Sequence, residues 1–540
     1  MIFAVSRKAV IILLAAGIKI ALASNIPGQE EANRTPVDIR LGSGLRIVSL
    51  KPGAGGLPRL QRMAASRRAA GFVAGAQAVE TPYVRPPLFG FSPKVATTFT
   101  DRKKHTFDQD MAHVLSSTPG LVGSPLNPPA EENFVIGVLD SGANTHLVAE
   151  PYSVIAGLTG FYLTSNPFEA GGVGGSLEGL VSKPIGLFAA GLGAVQSNGQ
   201  LDVSTVVGHY NVAVFVTEEV NCGQGEVVTA LIGLPLMTFY KSVIRVSEPR
   251  EVTVGGETYQ SPDVQLLPLG TTLPLAQFPR AIPMSYAADL SLPPQTAAFS
   301  YSIDYEGFPD FDTPSMPSVL AWASILPSAG VFVGEIGLLE GEPGPLNPLR
   351  FFRVLVDTGA QASIITPTTA ASLSLDLQNP DFVAEVCGVG GLQTDVPGFY
   401  VDLVRINASG GALDFGEAPF IVYDLPAIGG PLQGILGMNF FWNRDVIFDV
   451  EPTTGSGFLR LSNPMAMPYG DFDQDLDVDE KDLAAFVACM SGPAIPQLDP
   501  ACAWFDADLD EDVDQSDFGV FQACISGKGV RADVNCGPAW

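Results

Sequence analysis

Residues 134–143 read FVIGVLDSGA, and residues 352–360 read FRVLVDTGA. In each segment a run of apolar, often β-branched residues, typical of a buried strand, ends in Asp-Ser-Gly-Ala or Asp-Thr-Gly-Ala. A single Asp-Ser/Thr-Gly triplet would occur by chance in roughly a third of chains of this length at ordinary residue frequencies. Two copies, each at the end of a strand, instead predict a duplicated element that ends at Asp140 in one half and at Asp357 in the other.

Glycine-rich blocks follow both copies at nearly the same distance. The first begins 32 residues after Asp140, and the second begins 31 residues after Asp357. The blocks are Gly172-Val173-Gly174-Gly175 and Gly388-Val389-Gly390-Gly391. Two aliphatic residues and a glycine come next in both halves, at 231–233 and 435–437. Because three blocks recur in one order at similar spacing, the chain is predicted to be a mainly β protein with two duplicated lobes.

The two aspartates are candidates for a catalytic pair. Peptide hydrolysis by carboxylates requires two of them around one water molecule, so close together that both cannot ionise. One carboxyl group then stays protonated as the acid, while the other acts as a base on the water. Since such a pair titrates jointly, the sequence leaves open which of Asp140 and Asp357 holds the proton.

The residues after each aspartate suit this chemistry. Gly142 and Gly359 allow a tight turn in which backbone N–H groups point at the carboxylates. The hydroxyl groups of Ser141 and Thr358 can bind across to the opposite loop. These four residues are therefore predicted to support the two aspartates and to lock their loops together.

On these motifs, residues 134–146 and 352–365 resemble the active-site loops of pepsin-like and retroviral-type aspartic peptidases. The resemblance extends over about residues 130–245 and 320–462. It implies a two-lobed pepsin-like fold with duplicated retropepsin-like β-barrel lobes, in which the two aspartates activate water without a cofactor. The Asp-Thr-Gly-Ala form and the Gly-Val-Gly-Gly block are more similar to the retroviral type, in which the glycine-rich segment forms the flap.

A secreted aspartic endopeptidase that cleaves peptides or proteins is the leading interpretation. Two alternatives stay open: a non-catalytic, calcium-dependent peptide-binding or scaffold protein on the same fold, and an enzyme that removes only its own leader. Other hydrolytic chemistries are disfavoured, because none of the histidines lies in an H-E-x-x-H motif or beside a recognisable nucleophilic serine. These are His105, His113, His146 and His209. His146 is interpreted as a cleft-lining or surface group rather than a metal ligand.

The N-terminus has the pattern of a secretory signal peptide. Arg7 and Lys8 precede a short apolar core, and Ala21-Leu22-Ala23 gives a cleavage pattern of small residues. An apolar core of about ten residues is too short to span a bilayer, so an anchor is disfavoured. The protein is therefore expected to be secreted or located at the cell surface, with no membrane span after signal removal.

Charge divides the rest of the chain into a basic leader and an acidic body. Residues 24–104 carry 13 Lys and Arg against 5 Asp and Glu, whereas residues 105–540 carry 13 against 52. Nucleic acid is an unexpected partner for so acidic a body. The leader, which includes Arg59, Arg62, Arg67 and Arg68, is interpreted either as a prosegment that covers an acidic cleft or as a solvated linker.

Composition and repeats predict the domain boundaries. The predicted divisions are a signal peptide at 1–23, the leader at 24–104, an N-terminal lobe at 105–246, an inter-lobe insertion at 247–317, a C-terminal lobe at 318–463 and an Asp-rich module at 469–540.

The Asp-rich module contains a second internal repeat, with a period of 35 residues. Its carboxylates stand at positions 1, 3, 5, 7, 9 and 12 of two loops, the spacing with which an EF-hand supplies oxygen ligands to calcium. They are Asp471, Asp473, Asp475, Asp477, Asp479 and Asp482, and then Asp506, Asp508, Asp510, Asp512, Asp514 and Asp517. The alternative is a disordered acidic tail, but each loop is followed by an apolar helical pattern. The apolar residues are Leu483, Phe486, Val487, Met490, Phe518, Phe521 and Ile525.

Two loop–helix units with Asp at position 12 resemble the dockerin type I module over about residues 469–527. The resemblance implies two Ca²⁺ sites and a cohesin-like docking partner, which positions 10 and 11 help to select; these are Glu480-Lys481 and Gln515-Ser516. Leu476 and Glu511 stand at position 6, where a glycine is usual. The six cysteines suit an oxidising compartment. Their spacing suggests the pairs Cys489–Cys502 and Cys524–Cys536, and leaves open whether Cys222 and Cys387 pair or stay free.

Overall fold

A computed structural model describes most of both predicted lobes and of the Asp-rich module. It covers residues 39–40, 46–55, 84–100, 134–156, 163–288 and 330–538, with short internal gaps at 173–174, 183–184, 198, 200, 203–204, 213, 219, 222–226, 239, 342–343, 389, 426–431, 452–455, 498 and 509. All described residues belong to one compact unit, Val37–Trp540. The predicted signal peptide and the arginines of the leader at 59–68 lie outside the described residues.

The N-terminal half is dominated by strands, and most of them form one sheet. The order of described strands in this sheet is β1-β6-β7-β10-β5-β13-β4-β3-β8-β9, while β2 lies in the second sheet and β11 pairs with β12. The elements are β1 (Ile39–Arg40), β2 (Arg46–Pro52), β3 (Lys94–Thr100), β4 (Val135–Asp140), β5 (His146–Ala149), α1 (Glu150–Ile155), β6 (Leu163–Gly172), β7 (Gly175–Ser182), β8 (Ile185–Gly191), β9 (Val207–Val212), β10 (Val214–Thr217), β11 (Val220–Asn221), β12 (Val227–Val228), β13 (Ala230–Gly233) and α2 (Leu234–Met237).

The C-terminal half forms the second sheet, in the order β15-β14-β24-β25-β16-β17-β18-β23-β19-β22-β21-β20-β2. An additional pairing between β17 and β21 closes part of this sheet into a barrel. The barrel strands, in order, are β17, β18, β23, β19, β22 and β21. The elements are β14 (Tyr240–Val254), β15 (Glu257–Pro268), β16 (Arg280–Ala288), β17 (Gly330–Leu339), β18 (Arg350–Val356), β19 (Ile364–Ile365), α3 (Pro367–Ser372), β20 (Phe382–Gly388), β21 (Gly391–Ile406), β22 (Leu413–Val422), β23 (Gly434–Leu436), β24 (Val446–Glu451) and β25 (Ser456–Leu461). The expectation of a mainly β protein is thus confirmed.

The pairings of the two halves show the same local topology. Strand β4 pairs parallel with β13 and antiparallel with β3, just as β18 pairs parallel with β23 and antiparallel with β17. Strand β5 lies beside β10 and β13, as β19 lies beside β22 and β23. Strand β14, which directly follows the N-terminal sheet along the chain, runs antiparallel to β24 within the second sheet. Buried apolar side chains from both halves form one continuous core that includes Leu139, Ile232, Ile244, Val356 and Phe448.

Several observed strands lie outside the predicted limits of the two lobes. Strand β3 precedes residue 105 and yet lies inside the N-terminal sheet, between β4 and β8. The segment predicted as an inter-lobe insertion begins at residue 247, but its described part forms β15, β16 and most of β14 in the C-terminal sheet. From Glu248 to Val254 exposed residues mostly alternate with half-buried ones, so the proline-containing part of β14 still forms a strand with one face less exposed than the other.

The Asp-rich module folds as two loop–helix units around a small core of its own. Helix α4 (Glu480–Cys489) and helix α5 (Gln515–Cys524) begin with reciprocal capping boxes, in which Asp479 and Asp514 are the N-cap residues. Phe486 and Phe521 are fully buried between the helices, with ring centroids 4.9 Å apart. The predicted apolar face is broader than the observed core, because Val487, Met490 and Ile525 are exposed.

Disulfide bonds close both units as predicted, at Cys489–Cys502 and Cys524–Cys536. Cys387 is also disulfide-bonded, while Cys222 lies outside the described residues. Among the residues that the structure describes, no helix is both long enough and apolar enough to cross a membrane.

Candidate active site

The duplicated topology brings the two predicted aspartates together. Strand β4 ends at Asp140, Asp357 follows β18 directly, and both side chains are fully buried. A Cβ atom added to Gly142 would lie 2.5 Å from Cγ of Asp357, and one added to Gly359 would lie 2.4 Å from Cγ of Asp140. Each carboxyl group therefore lies against the glycine of the opposite loop, at a distance that excludes any side chain.

Backbone N–H groups hold one oxygen of each carboxyl group. Oδ1 of Asp140 accepts from the N–H groups of Gly142 at 2.8 Å and Ala143 at 3.0 Å. Oδ1 of Asp357 accepts from the N–H group of Gly359 at 2.8 Å. The tight Asp-x-Gly turns thus fix the inner oxygens, and both carboxyl planes are oriented by the backbone of their own loop.

The hydroxyl groups of Ser141 and Thr358 join the two loops reciprocally. The Ser141 N–H group donates to Oγ1 of Thr358 at 2.9 Å, and the Thr358 N–H group donates to Oγ of Ser141 at 3.0 Å. Each hydroxyl group donates in turn to a strand of the opposite half: Ser141 to the carbonyl of Val356 at 2.8 Å, and Thr358 to that of Leu139 at 2.5 Å. These four buried hydrogen bonds keep the aspartates in a fixed relative position.

Burial raises the pKa of Asp140 well above its ordinary value, and the negative charge of nearby Asp357 raises it further. Hydrogen bonds from Gly142 and Ala143 act in the opposite direction but are smaller. Two carboxyl groups in one dry site share a proton rather than ionise together. The arrangement therefore supplies an acid and a base side by side.

Sequence reasoning missed the residues that hold the glycine strands beneath the loops. His146 is fully buried, and its Nδ1 atom accepts from the N–H group of Gly233 at 3.1 Å. At the same place in the other half, Oγ of Ser363 accepts from the N–H group of Gly437 at 2.9 Å. The interpretation of His146 as a cleft-lining or surface group is thus wrong. Both residues stand six positions after an aspartate, which is the signal that could have identified the pair.

The glycine-rich blocks lie at the tips of two antiparallel hairpins. Gly172 pairs with Gly175 at the end of the β6–β7 hairpin, and Gly388 pairs with Gly391 at the end of the β20–β21 hairpin. A Cβ atom added to Gly175 would lie 3.9 Å from the carbonyl oxygen of Gly390, so the two tips approach each other. Val173, Gly174 and Val389 lie outside the described residues.

Eleven of the twelve predicted ligand aspartates gather into groups whose oxygens are close enough to hold cations. The groups are Asp471 with Asp473 and Asp475, Asp477 with Asp479 and Asp482, Asp506 with Asp508 and Asp517, and Asp512 with Asp514 and Asp517, and within each the ligand atoms lie within 4.8 Å of one another. Asp510 stands between the latter two groups, and its Oδ1 accepts from the N–H group of Asp512 at 3.2 Å.

Several oxygens in these groups fit a hard cation because no residue in the described part of the chain forms a hydrogen bond with them. Oδ2 of Asp479, Oδ1 of Asp477 and Oδ1 of Asp512 are buried without a hydrogen-bond partner. Burial, together with the negative charge of its neighbour Asp473, raises the pKa of Asp475 to about 7. Leu476 and Glu511 at position 6 have φ angles of 70° and 78°, so both loops make the left-handed turn usually made by glycine. Buried carboxylates held together in this way are the donor set that Ca²⁺ prefers.

Comparisons with known proteins agree with the chemistry of the second aspartate loop. Residues 345–440, which include Asp357, the second hairpin and Gly437, match the family model described as Aspartyl protease. No curated protein matches the sequence significantly. Among solved structures, the aspartic proteinase from Irpex lacteus aligns with 11% identity and a TM-score of 0.35, over 69% of this chain and 97% of that chain. The family match supports a protease of the aspartyl type.

Proposed function

We propose that the protein is a secreted aspartic endopeptidase whose catalytic pair is Asp140 and Asp357. The observation that supports this function best is the reciprocal geometry of the two loops. Each carboxyl group lies on the glycine of the other loop, and the hydroxyl groups of Ser141 and Thr358 connect the loops in both directions. The contacts between the loops do not themselves require two buried carboxyl groups, whereas the proposed hydrolysis of a peptide bond requires both.

The proposed reaction uses the shared proton of the pair. Because the pair titrates jointly, one of Asp140 and Asp357 holds this proton and the other is the base. The charged carboxylate takes a proton from water as the water oxygen attacks the carbonyl carbon, and the protonated carboxyl group gives its proton to the carbonyl oxygen. When the intermediate collapses, the group that took the proton from water gives it to the leaving nitrogen, the carbon–nitrogen bond breaks, and the other carboxylate takes a proton back from a hydroxyl group of the intermediate.

The two glycine-rich hairpin tips are the proposed flaps. Both halves contribute a hairpin tip and the tips approach each other, so we propose two symmetric flaps rather than one. A substrate held beneath two backbone-rich tips would be recognised mainly through its own backbone, in an extended conformation. We therefore propose an unfolded peptide or protein segment as the substrate.

We further propose that the C-terminal module binds two calcium ions and stabilises or tethers the enzyme. The buried and unpartnered oxygen of Asp479 supports an ion in the first loop, and the same ligand spacing 35 residues later supports one in the second. The first site would use Asp471, Asp473, Asp475, Asp479 and Asp482 with the backbone of residue 477, and the second site the corresponding residues 35 positions later. The cysteine pairs of the module are compatible with export through the proposed signal peptide.

The experiment is cleavage of a mixed peptide library between about pH 3 and pH 7, the range over which a carboxyl pair with raised pKa values can share one proton. Wild-type protein is compared with Asp140→Asn and Asp357→Asn, with and without pepstatin. Both variants should lose all cleavage while they keep the wild-type circular dichroism spectrum. A folded wild-type protein that cleaves no peptide at any pH would contradict the enzyme and favour a peptide-binding protein on this fold.

A further inference from the structure

Residues 84–93, here called the strap, form hydrogen bonds with the chain next to both aspartate loops. Near its end, the carbonyl of Pro93 accepts from the N–H group of Leu139, which directly precedes Asp140, at 2.8 Å. In its middle, the N–H group of Gly90 donates to the carbonyl of Gln361, four residues after Asp357, at 2.8 Å. The strap is thus bonded to the chain beside both aspartates.

The same strap is bonded to the first loop of the Asp-rich module. The ring of Phe472 packs edge-on against Phe89 with centroids 5.6 Å apart, and Nε2 of Gln474 donates to the carbonyl of Phe89 at 3.1 Å. The carbonyl of Phe89 and the N–H group of Gly90 belong to one peptide group. One rigid peptide plane therefore joins the module to the loop of Asp357.

This peptide group has no room to shift. A Cβ atom added to Gly90 would lie 2.4 Å from the carbonyl carbon of Met438, the first residue of a short 3₁₀ helix that follows β23. The carbonyl of Pro87 is held as well, because it accepts from Nδ2 of Asn439 at 3.2 Å. Movement of the first module loop would therefore act on the backbone under Asp357.

An ion pair fixes the first loop to the body at a second point. Nζ of Lys481 lies 3.2 Å from Glu251 on β14 and 3.3 Å from Asp473 of the loop. Nζ of Lys528, also in the module, lies 2.9 Å from the same glutamate. Lys481 occupies position 11, one of the positions that would select a docking partner in a dockerin module, and here it contacts the chain's own body.

The second loop offers a matched contrast, because other residue types stand at the corresponding positions. Ala507 and Ser516 take the places of Phe472 and Lys481. Both loops make the same contacts within the module: Val513 donates to Oγ of Ser491 as Val478 does to Oγ of Ser526, and the Ala494 N–H group donates to Asp512 as the Gly529 N–H group does to Asp477. The ring contact of Phe472 and the ion pair of Lys481 with the body have no counterpart at Ala507 and Ser516. The two loops thus have the same ligand pattern and different neighbours.

We infer that the first loop is a calcium-dependent brace for the peptidase body, in which bound calcium holds the strap against the loop of Asp357. This inference rests on the calcium binding proposed above. The N–H group of Phe472 donates to Oδ1 of Asp482 at 2.7 Å, so a ligand at the end of the loop sets the position of this ring. Loss of the ion releases Phe472 and Gln474, and then the peptide group of Phe89 and Gly90. Calcium at the second loop stabilises the module alone.

The test uses two equivalent substitutions in the full-length protein, Asp471→Asn and Asp506→Asn. Each aspartate accepts from two backbone N–H groups in the same way, so each substitution removes one charge at the same point of its loop. Calcium binding is measured by calorimetry, and hydrogen exchange by mass spectrometry of peptides that cover residues 84–93 and 352–365. Asp471→Asn, or removal of calcium from the wild type, should speed exchange in both peptides about tenfold or more by local opening.

Asp506→Asn should leave exchange in these two peptides at the wild-type rate and speed it only in the module. The inference is overturned if Asp471→Asn abolishes calcium binding at the first loop without faster exchange in either peptide. It is also overturned if calorimetry detects no calcium at the first loop of the wild type. In that case the calcium site fails, whereas the peptide-cleavage experiment decides on the peptidase separately.

A second pair of variants separates the brace from the ion. Phe89→Ala removes the ring contact from the strap and leaves every proposed ligand in place. It should still bind two calcium ions, and yet exchange at 352–365 should no longer respond to calcium. Ala507→Phe, which gives the second loop the ring of the first, serves as the control and should not alter this response. A calcium response of wild-type size in Phe89→Ala contradicts the brace.

Discussion

The two aspartate loops have the same framework but differ in the residue that fixes the strand beneath them. In both loops a carboxyl group accepts from its own turn, and a hydroxyl group reaches across to the other half. Beneath the first loop, an imidazole nitrogen of His146 accepts from Gly233, and beneath the second the hydroxyl group of Ser363 accepts from Gly437.

This difference shows which parts of the site are constrained by chemistry and which by space. The aspartates, the glycines and the connecting hydroxyl groups are alike in both halves, because each acts on the opposite loop. The acceptor six residues later acts only within its own half, so any buried side chain with a lone pair at that point is sufficient. Duplication thus preserved the contacts between the loops more strictly than the contacts beneath them.

The largest expected effect is the loss of activity when either of the two aspartates is replaced. Asp140→Asn, Asp357→Asn and the double variant should each lower kcat by at least about 10³-fold, since either single change removes the shared acid–base function. Because the two residues act as one unit, the double variant should be no less active than either single variant. A single variant that keeps a tenth of the wild-type activity would show that the halves are catalytically unequal.

The glycines of the two turns should be equally intolerant of a side chain. In Gly142→Ala and Gly359→Ala the new methyl group overlaps the carboxyl group of the opposite loop, which should abolish cleavage and destabilise the fold by about 1–3 kcal/mol. Urea unfolding and peptide cleavage are measured together. Gly270→Ala is the control, because an added Cβ atom there meets no atom within 4 Å. A stable and active Gly359→Ala variant would contradict the close approach of the loops.

The connecting hydroxyl groups should also be equivalent. Ser141→Ala and Thr358→Ala each leave a buried N–H group and a buried carbonyl group of the opposite loop unsatisfied, which should cost about 1–3 kcal/mol in the free energy of unfolding. Thr358→Ser keeps the hydroxyl group and should remain within about 1 kcal/mol of wild type, since it loses one methyl group. A larger loss in Thr358→Ser than in Thr358→Ala would mean that packing, rather than hydrogen bonding, joins the loops.

The sequence allowed the paired loops, the hairpins and the disulfides of the module to be predicted, because each depends on a short pattern that occurs twice. The same reasoning misassigned residues 84–100, which were taken as leader or linker although β3 and the strap belong to the folded body. Nothing in a ten-residue stretch of prolines and aromatics encodes a partner several hundred residues away, such as Phe472 for Phe89.

His146 was misread for a related reason. A histidine six residues after a catalytic aspartate is easily interpreted as a surface or cleft residue. His146 is buried instead, because its Nδ1 atom accepts a hydrogen bond from Gly233 in the strand beneath the loop. Only alignment of the two halves of the chain on their aspartates relates it to Ser363. The repeat, rather than the residue type, contains that information.

Substitution of His146 should cost little stability when the new side chain keeps a hydrogen-bond acceptor for the N–H group of Gly233. His146→Asn can place its side-chain oxygen where Nδ1 stands, and should retain activity with a loss of stability below that of His146→Leu. His146→Leu and Ser363→Ala leave the N–H groups of Gly233 and Gly437 buried without a partner, at about 1–3 kcal/mol each. Thermal unfolding of the three variants measures this. Equal losses in His146→Asn and His146→Leu would show that ring packing matters more than the accepted hydrogen bond.

The smallest effect is a pH dependence that distinguishes Asp140 from an ordinary carboxyl group. Its pKa is raised in the folded state, whereas in the unfolded chain it is about 3.9, so folded protein binds the proton more tightly. As the pH rises above about 4, this residue should destabilise the wild type with a slope of at most about 1.4 kcal/mol per pH unit until its folded pKa is reached. Asp140→Asn lacks the group, so its stability relative to wild type should increase over the same range.

Asp376 provides a control of the opposite sign. Hydrogen bonds from Asn379 and Gln378 lower its pKa in the folded state, so it stabilises the protein above its unfolded pKa and loses this effect as the pH falls. Asp376→Asn should therefore lose stability relative to wild type as the pH rises from the lowered folded pKa to about 4, and the difference should then stay constant, whereas Asp140→Asn gains stability above about 4. Urea midpoints at several pH values measure both trends. Parallel curves for wild type and Asp140→Asn would mean that burial beside Asp357 leaves the proton affinity of Asp140 unchanged.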